Sequence, residues 1–330
     1  MHKAVALLSG GLDSQLAIRL IQEQGIEVIG VFFNSPFFSE SPWVTKASQN
    51  LGIKLHTITF GEEYLAILKN PRYGFGKNLN PCIDCHGLML KLAGQYMEQI
   101  NAQFLITGEV LKQRPKSQRL DALHIVEKLS GYPGLVLRPL SARLLPPTIP
   151  EIRGWVDREK LLALSGRSRK PQLKLAELYG LKDYPSPAGG CLLTVPSFAE
   201  RLKILLERKP NATYNDFELL KVGRHFFGPD GFYLIVGRKK SENEFLQEQV
   251  GMHKILLKAA THPGPLSVLQ NLAGIESEDH LRLAGGITAR YSDARDLPLV
   301  EIKYWVPTQT PNTIEVPPLD PSQLDQILQK

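Results

Sequence analysis

In the first 140 or so residues, apolar positions gather into short unbroken runs: Lys3–Leu8, Glu27–Phe33, Lys54–Thr59, Phe104–Thr107 and Leu135–Arg138. Continuous runs of this length, without polar alternation, read as strands buried on both faces. Between them Leu12, Leu16, Leu20 and Ile21 recur at helical spacing, Ser41-Pro42 opens a second helix, and His86–Glu98 carries a third. Strand, helix, strand in this order predicts an α/β fold with a parallel sheet and right-handed crossovers. Ligands of such sheets bind beyond the carboxyl ends of the strands.

Prolines interrupt the pattern from Pro139 to Glu151. Helical spacing resumes at Asp157–Leu164, Ser168–Tyr179 and Phe198–Arg208. The stretch Lys209-Pro210-Asn211-Ala212-Thr213 reads as a domain boundary, so the chain is expected to divide into residues 1–208 and 209–330. The second part mixes strands (Phe232–Val236, Leu299–Trp305) with helices and is expected to be a smaller α+β domain.

At 330 residues, 43% hydrophobic and 22% charged, the chain has a globular composition, which excludes disorder and fibre. No apolar run approaches the roughly 20 residues needed to cross a bilayer, so the expectation is a cytoplasmic protein with no membrane partner. The net charge of +6 is uneven: residues 207–330 hold 14 basic and 16 acidic side chains, whereas residues 110–174 hold 14 basic and only 5 acidic. That concentration points to a polyanionic partner or to a solvated basic surface.

Ser9-Gly10-Gly11-Leu12-Asp13-Ser14 follows the first strand and opens the first helix. Two glycines allow a tight turn, so that backbone N–H groups and the Ser9 and Ser14 hydroxyls converge on an anion at the positive end of the helix dipole. No Gly-Lys-Ser/Thr follows, and a third dinucleotide-type glycine is missing, so this is neither a Walker A loop nor a Rossmann fingerprint. The alternative is a tight turn that binds nothing.

The three cysteines are Cys82, Cys85 and Cys191. An odd number cannot close into disulfides within one chain. Cys82-x-x-Cys85 precedes a helix, whose N-terminus favours thiolates. Three chemistries suit the set: a 4Fe-4S cluster on three thiolates with one iron open, a persulfide with a resolving cysteine, or zinc with Asp84 or His86 as a further ligand. Buried packing of small apolar residues is the fourth reading.

The glycine loop resembles the signature of the PP-loop ATP pyrophosphatases. Thr107-Gly108-Glu109, with Gln113, Ser117-Gln118 and Arg138-Pro139-Leu140, resembles the corresponding run in tRNA 4-thiouridine synthetases. Asn80-Pro81-Cys82-Ile83-Asp84-Cys85 resembles the NPCxxC region of tRNA 2-thiouridylases, and Gly189-Gly190-Cys191 is similar to the position of their second catalytic cysteine. The resemblance covers most of residues 1–195. It implies a HUP-like nucleotide-binding fold and a uridine-thiolating enzyme that adenylates a carbonyl oxygen with ATP, then delivers sulfur from hydrosulfide or a cysteine desulfurase.

On that resemblance Ser9, Gly10, Gly11 and Ser14 are expected to hold the ATP phosphates, and Asp13 to place Mg²⁺. Thr107, Gly108 and the backbone near Phe32 and Phe33 are expected to line the nucleotide site, and Cys82, Cys85 and Cys191 to hold the sulfur chemistry. Lys112, Arg114, Lys116 and Arg119, with Arg167, Arg169 and Lys170, are expected to neutralise tRNA phosphates. The chain is expected to lack the THUMP module and the rhodanese domain of the 4-thiouridine synthetases. Residues 217–295 resemble the NFACT-R RNA-binding domain, with Arg224, His225, Arg238, Lys239 and Lys240 as a local basic face. This part is expected to dock tRNA, or to brace the first domain or a homodimer. A PP-loop ligase without sulfur chemistry and a non-catalytic RNA- or ribosome-binding factor are the rival readings.

Overall fold

The structure is a computed structural model that describes residues 2–38, 42–186, 190–251, 254–273, 277–324 and 327–329. The expected roles of Ser41 and Gly189 therefore lie outside the described residues. The chain forms two compact units, Met1–Thr194 and Val195–Lys330.

In the first unit the elements are β1 (Lys3–Leu7), α1 (Leu12–Gln22), β2 (Glu27–Asn34), α2 (Pro42–Leu51), β3 (Leu55–Thr59), α3 (Glu62–Lys69), α4 (Cys82–Gln99), β4 (Phe104–Ile106), α5 (Leu120–Ser130), β5 (Val136–Leu137), α6 (Ile149–Ile152) and α7 (Lys170–Leu178). The five strands form one sheet in the order β3-β2-β1-β4-β5, and every pair is parallel. Ala4, Val5 and Ala6 of the central β1 are fully enclosed, as expected for a strand covered by helices on both faces. The strand order reverses between β1 and β4. The carboxyl ends of these two strands thus flank the crevice where ligands of open α/β sheets bind.

Two local expectations are corrected. Asp157–Leu164 is not a helix: only a short 3-10 turn, Arg158–Lys160, forms there, with Asp157 accepting from Glu159 N. The next residues run extended instead, with Leu162 N and Leu164 N bonded to the carbonyls of Pro139 and Leu140, so long-range pairing outcompetes helical spacing. The third helix begins at Cys82, earlier than His86, which puts both Cys82 and Cys85 on its first turns.

The second unit contains α8 (Pro196–Arg208), α9 (Tyr214–Leu219), β6 (Arg224–Phe227), β7 (Phe232–Val236), α10 (Lys240–Gln249), β8 (Ile255–Ala259), β9 (Ser267–Asn271), α11 (Glu278–Arg290), β10 (Val300–Trp305), β11 (Asn312–Val316), α12 (Pro321–Leu324) and β12 (Leu328–Gln329). Its seven-stranded sheet has the order β11-β10-β8-β9-β7-β6-β12, with antiparallel pairs throughout. α11 packs across β8, β9, β10 and β11. The division falls before α8, where the sequence reading had put it after that helix. Arg208 of α8 donates to the Gly228 carbonyl and sits over the Phe227 ring, which ties the helix to the β6–β7 hairpin.

Candidate functional site

The glycine loop leaves β1 at the switch point. Gly10 has φ +76°, and a Cβ there would lie 2.9 Å from Val44 N, so both conformation and space require glycine. Gly11 is the N-cap of α1, and no side chain caps the helix. Its N-terminal donors are thus available to an anion. Ser14 Oγ donates to the Gly11 carbonyl at 2.8 Å and lies 3.3 Å from Ser9 Oγ, so both hydroxyls stand at the loop.

The turn after β4 abuts this loop. A Cβ on Gly108 would come within 2.6 Å of Asp13 C and Ser14 N, so only glycine lets the two backbones approach. Thr107 Oγ1 donates to Glu109 Oε2 at 3.1 Å. The same carboxylate receives Arg138 Nε at 3.0 Å, and its other oxygen lies 3.0 Å from His86 Nδ1. Burial opposes ionisation of Glu109, but Arg138 and His86 outweigh it and hold the carboxyl down at about 2. Glu109 thereby connects the nucleotide loop to the residue that follows Cys85.

Cys82 and Cys85 lie one helical turn apart on α4. Asn80 Nδ2 donates to Cys82 Sγ at 3.1 Å. Cys85 is buried, and burial pushes its thiol well up, with Cys191 and Cys82 adding to the shift. Burial likewise raises Cys191 to about 11, with Cys82 adding to it and Arg114 opposing. The three thiols therefore stand within electrostatic range of one another, although Cys191 comes from the far end of the unit. Tyr64, fully enclosed, faces Cys85 and Cys191; burial, then these two thiols, raise its hydroxyl. Phe60 stacks on Tyr64 with ring centres 4.4 Å apart, and Phe33 stacks on Phe60 at 5.3 Å, so an aromatic column runs from the end of β2 to the thiols.

Among the described residues no group of three or more His, Cys, Asp or Glu is placed to hold a metal ion. Asp84 accepts from Arg72 N and Tyr73 N, and Nδ1 of His86 is taken by Glu109. Of the candidate donors, the three thiols are soft, and it is their residue type, not their placement, that suits an iron–sulfur cluster.

Asp13 is held by Gln113 Nε2, 2.7 Å from Oδ2, and Arg169 Nη2 lies 3.7 Å from Oδ1. The two basic clusters meet through a parallel bridge between Leu111 and Ser165, reinforced by Gly166 N donating to the Leu111 carbonyl at 2.8 Å. Lys112, Arg114, Arg167 and Lys170 are exposed there. Lys116 is tied to the Tyr73 carbonyl, and Arg119 is bound by both oxygens of Asp121. In the second unit, His225 is corrected from surface to core: it is fully enclosed, with Nδ1 2.9 Å from Tyr233 Oη.

Residues 1–143 match the family described as Thiamine biosynthesis protein (ThiI). Residues 223–327 match the NFACT protein RNA binding domain. Neither stretch contains Arg169, Gln172 or Cys191. Solved structures similar to the chain include the following. One is the C-terminal part of the fibronectin/fibrinogen-binding protein from Streptococcus suis, with 16% identity, TM-score 0.28, and coverage of 48% of this chain and 74% of that one. Another is a predicted subunit of tRNA methyltransferase from Methanocaldococcus jannaschii, with 16% identity, TM-score 0.35, and coverage of 54% and 76%. The third is a 4-thiouridine synthetase–RNA complex with bound ATP, with 22% identity and TM-score 0.39, of which the match spans 52% against 67% of this chain.

Sequence reasoning missed Tyr64 and Gln172. A lone aromatic on α3 and a glutamine on α7 carry no spacing signal; only packing brings them to the site.

Proposed function

We propose that this chain is an ATP-dependent tRNA sulfurtransferase that replaces a uridine carbonyl oxygen with sulfur. The observation that carries the reading is the joining of a nucleotide-type loop to a thiol site: Gly108 abuts Asp13, and the adjacent Glu109 is bonded to His86, next to Cys85. The ThiI-type match over residues 1–143 and the RNA-binding-domain match over residues 223–327 support it.

The glycine loop and the Ser9 and Ser14 hydroxyls bind ATP phosphates, with adenine beside the end of β2 near Phe33. The carboxylate of Asp13, which has one oxygen without a hydrogen-bond partner, fits a Mg²⁺ ligand. The uridine oxygen attacks the α-phosphorus, the bond to the β-phosphate oxygen breaks, and pyrophosphate leaves. Sulfur then adds to the activated carbon, and AMP departs with the former carbonyl oxygen. A 4Fe-4S cluster, if held by Cys82, Cys85 and Cys191, would supply an iron with an open position for hydrosulfide, or for desulfurase-derived sulfur once a thiol reductant has supplied the two electrons that bring it to the sulfide level. Cys85 is buried and Cys191 half-buried, which limits the access of water to this step. Exposed Lys112, Arg114, Arg167 and Lys170 neutralise tRNA phosphates around a base turned out of its stack.

Labelled ATP, tRNA and sulfide incubated with the protein should yield AMP, pyrophosphate and thiouridine. Release of ADP, or thiolation that survives serine at all three cysteines, overturns the reading.

A further inference from the structure

The expected set of RNA-binding cations contains Arg169, yet its surroundings differ from those of its neighbours. Arg167 and Lys170 are exposed, whereas the Arg169 side chain is only 21% exposed and turns toward Asp13 of the glycine loop. Its Nε is buried with no hydrogen-bond partner, and so are Asp13 Oδ1 and Gln172 Oε1. Buried polar atoms of this kind are rare unless a ligand or ordered water completes them. Here three occur in one short chain of contacts: Gln172 Nε2 donates to Gln113 Oε1 at 3.0 Å, Gln113 Nε2 donates to Asp13 Oδ2 at 2.7 Å, and Arg169 Nη2 stands 3.7 Å from Asp13 Oδ1. That last separation is about 1 Å longer than a charge-assisted hydrogen bond. The guanidinium is thus aimed at the loop without being consumed there.

The local sequence explains the placement. Arg169 is the N-cap residue of α7, with no side-chain cap bond and Pro171 in the first turn, and α7 packs against α1, the helix that the glycine loop opens. Gln172, only 1% exposed, follows on the first turn. A phosphate drawn into the loop would find a planar fork of donors at Arg169, while Asp13 would turn from the guanidinium to the cation of the nucleotide.

We propose that Arg169 is a ligand of nucleotide phosphate, positioned over the glycine loop by Asp13 and the Gln113–Gln172 pair, and not a contact of the RNA backbone. This rests on the reading of the loop as a nucleotide site but not on which base is modified or with what. Gln113 and Gln172 are positioning residues; Arg169 touches the ligand.

Calorimetric titration of the full chain with Mg-ATP, AMP and inorganic pyrophosphate, without RNA, tests this. Arg169→Ala is expected to weaken Mg-ATP binding about tenfold or more, the loss of a charge-assisted contact. Arg169→Lys should recover part of it, keeping charge but losing the fork. A loss confined to AMP assigns the contact to the α-phosphate, and one confined to pyrophosphate to the leaving group. In parallel, the slope of tRNA affinity against salt should stay at the wild-type value, because no RNA phosphate contact is removed. Unchanged Mg-ATP affinity in an Arg169→Ala protein that keeps its unfolding temperature overturns the proposal, whatever happens to tRNA binding. If Arg169→Ala does not fold, unchanged affinity for all three ligands in Arg169→Lys overturns it. Weakened ATP binding in a protein whose wild type thiolates no tRNA would uphold Arg169 and remove the sulfurtransferase reading alone.

Discussion

Glu109 Oε2 lies 3.0 Å from Arg138 Nε, with both side chains buried. Arg138 is itself fixed by Glu127 at 3.1 Å and by the Leu123 carbonyl at 3.3 Å, so the β5 end and α5 hold Glu109 where its second oxygen meets His86. Removing the charge leaves the buried guanidinium with Glu127 as its remaining carboxylate partner. Glu109→Gln should lower unfolding stability by about 3–5 kcal/mol, read by urea denaturation; a loss below about 1 kcal/mol would show the pair to be incidental.

The same carboxyl sets an acid limit. Its folded value of about 2 lies below the ordinary 4.5, so its contribution is complete above about pH 4.5 and disappears as pH falls toward 2. The unfolding free energy should decline across that window, and Glu109→Gln should flatten the decline.

His225 in the second unit acts at higher pH. Burial, then the neighbouring Arg201, depress it from 6.5 to about 3, so the folded unit favours the neutral ring. Its contribution is present above about pH 6.5 and is lost as pH falls toward 3. Amide hydrogen exchange in β7 should quicken over this range, and His225→Gln should remove the dependence.

Gly108→Ala would drive a methyl into the Asp13 and Ser14 backbone at 2.6 Å. Since backbone cannot yield as a side chain end can, the cost should be about 1–3 kcal/mol, with Mg-ATP binding falling together with stability in the same thermal-shift titration. Normal ATP affinity in this variant would contradict the shared site.

Alanine at Lys112, Arg114, Arg167 or Lys170 should each reduce the slope of log tRNA affinity against log salt by about 0.7–0.9. Lys116→Ala and Arg119→Ala should do less, because the first is tied to the Tyr73 carbonyl and the second to Asp121. Equal slopes for all six would argue for a diffuse basic surface.

Anaerobic reconstitution should load about four iron and four sulfide per chain, and Cys191→Ala should abolish loading. Full loading of that variant would remove Cys191 from the cluster.

Local features were legible in the chain itself. Unbroken apolar runs such as Ala4–Ala6 determined buried parallel strands, and Ser9–Ser14 determined a tight strand-to-helix turn, because strand burial and glycine dihedrals act over a few residues. The sequence placed Cys82 and Cys85 just before a helix, and the structure puts them on its first turns instead. Tertiary structure alone decided the rest. The order β3-β2-β1-β4-β5 brought Gly108 against Asp13, and folding brought Cys191 to Cys82 and Cys85. Pairing of Leu162 and Leu164 with Pro139 and Leu140 overrode a helical pattern. Arg167, Arg169 and Lys170 look alike in sequence, yet α7 packing on α1 turns one inward and leaves two outside. Residue type and spacing encode backbone conformation; which distant groups meet depends on which surfaces pack together.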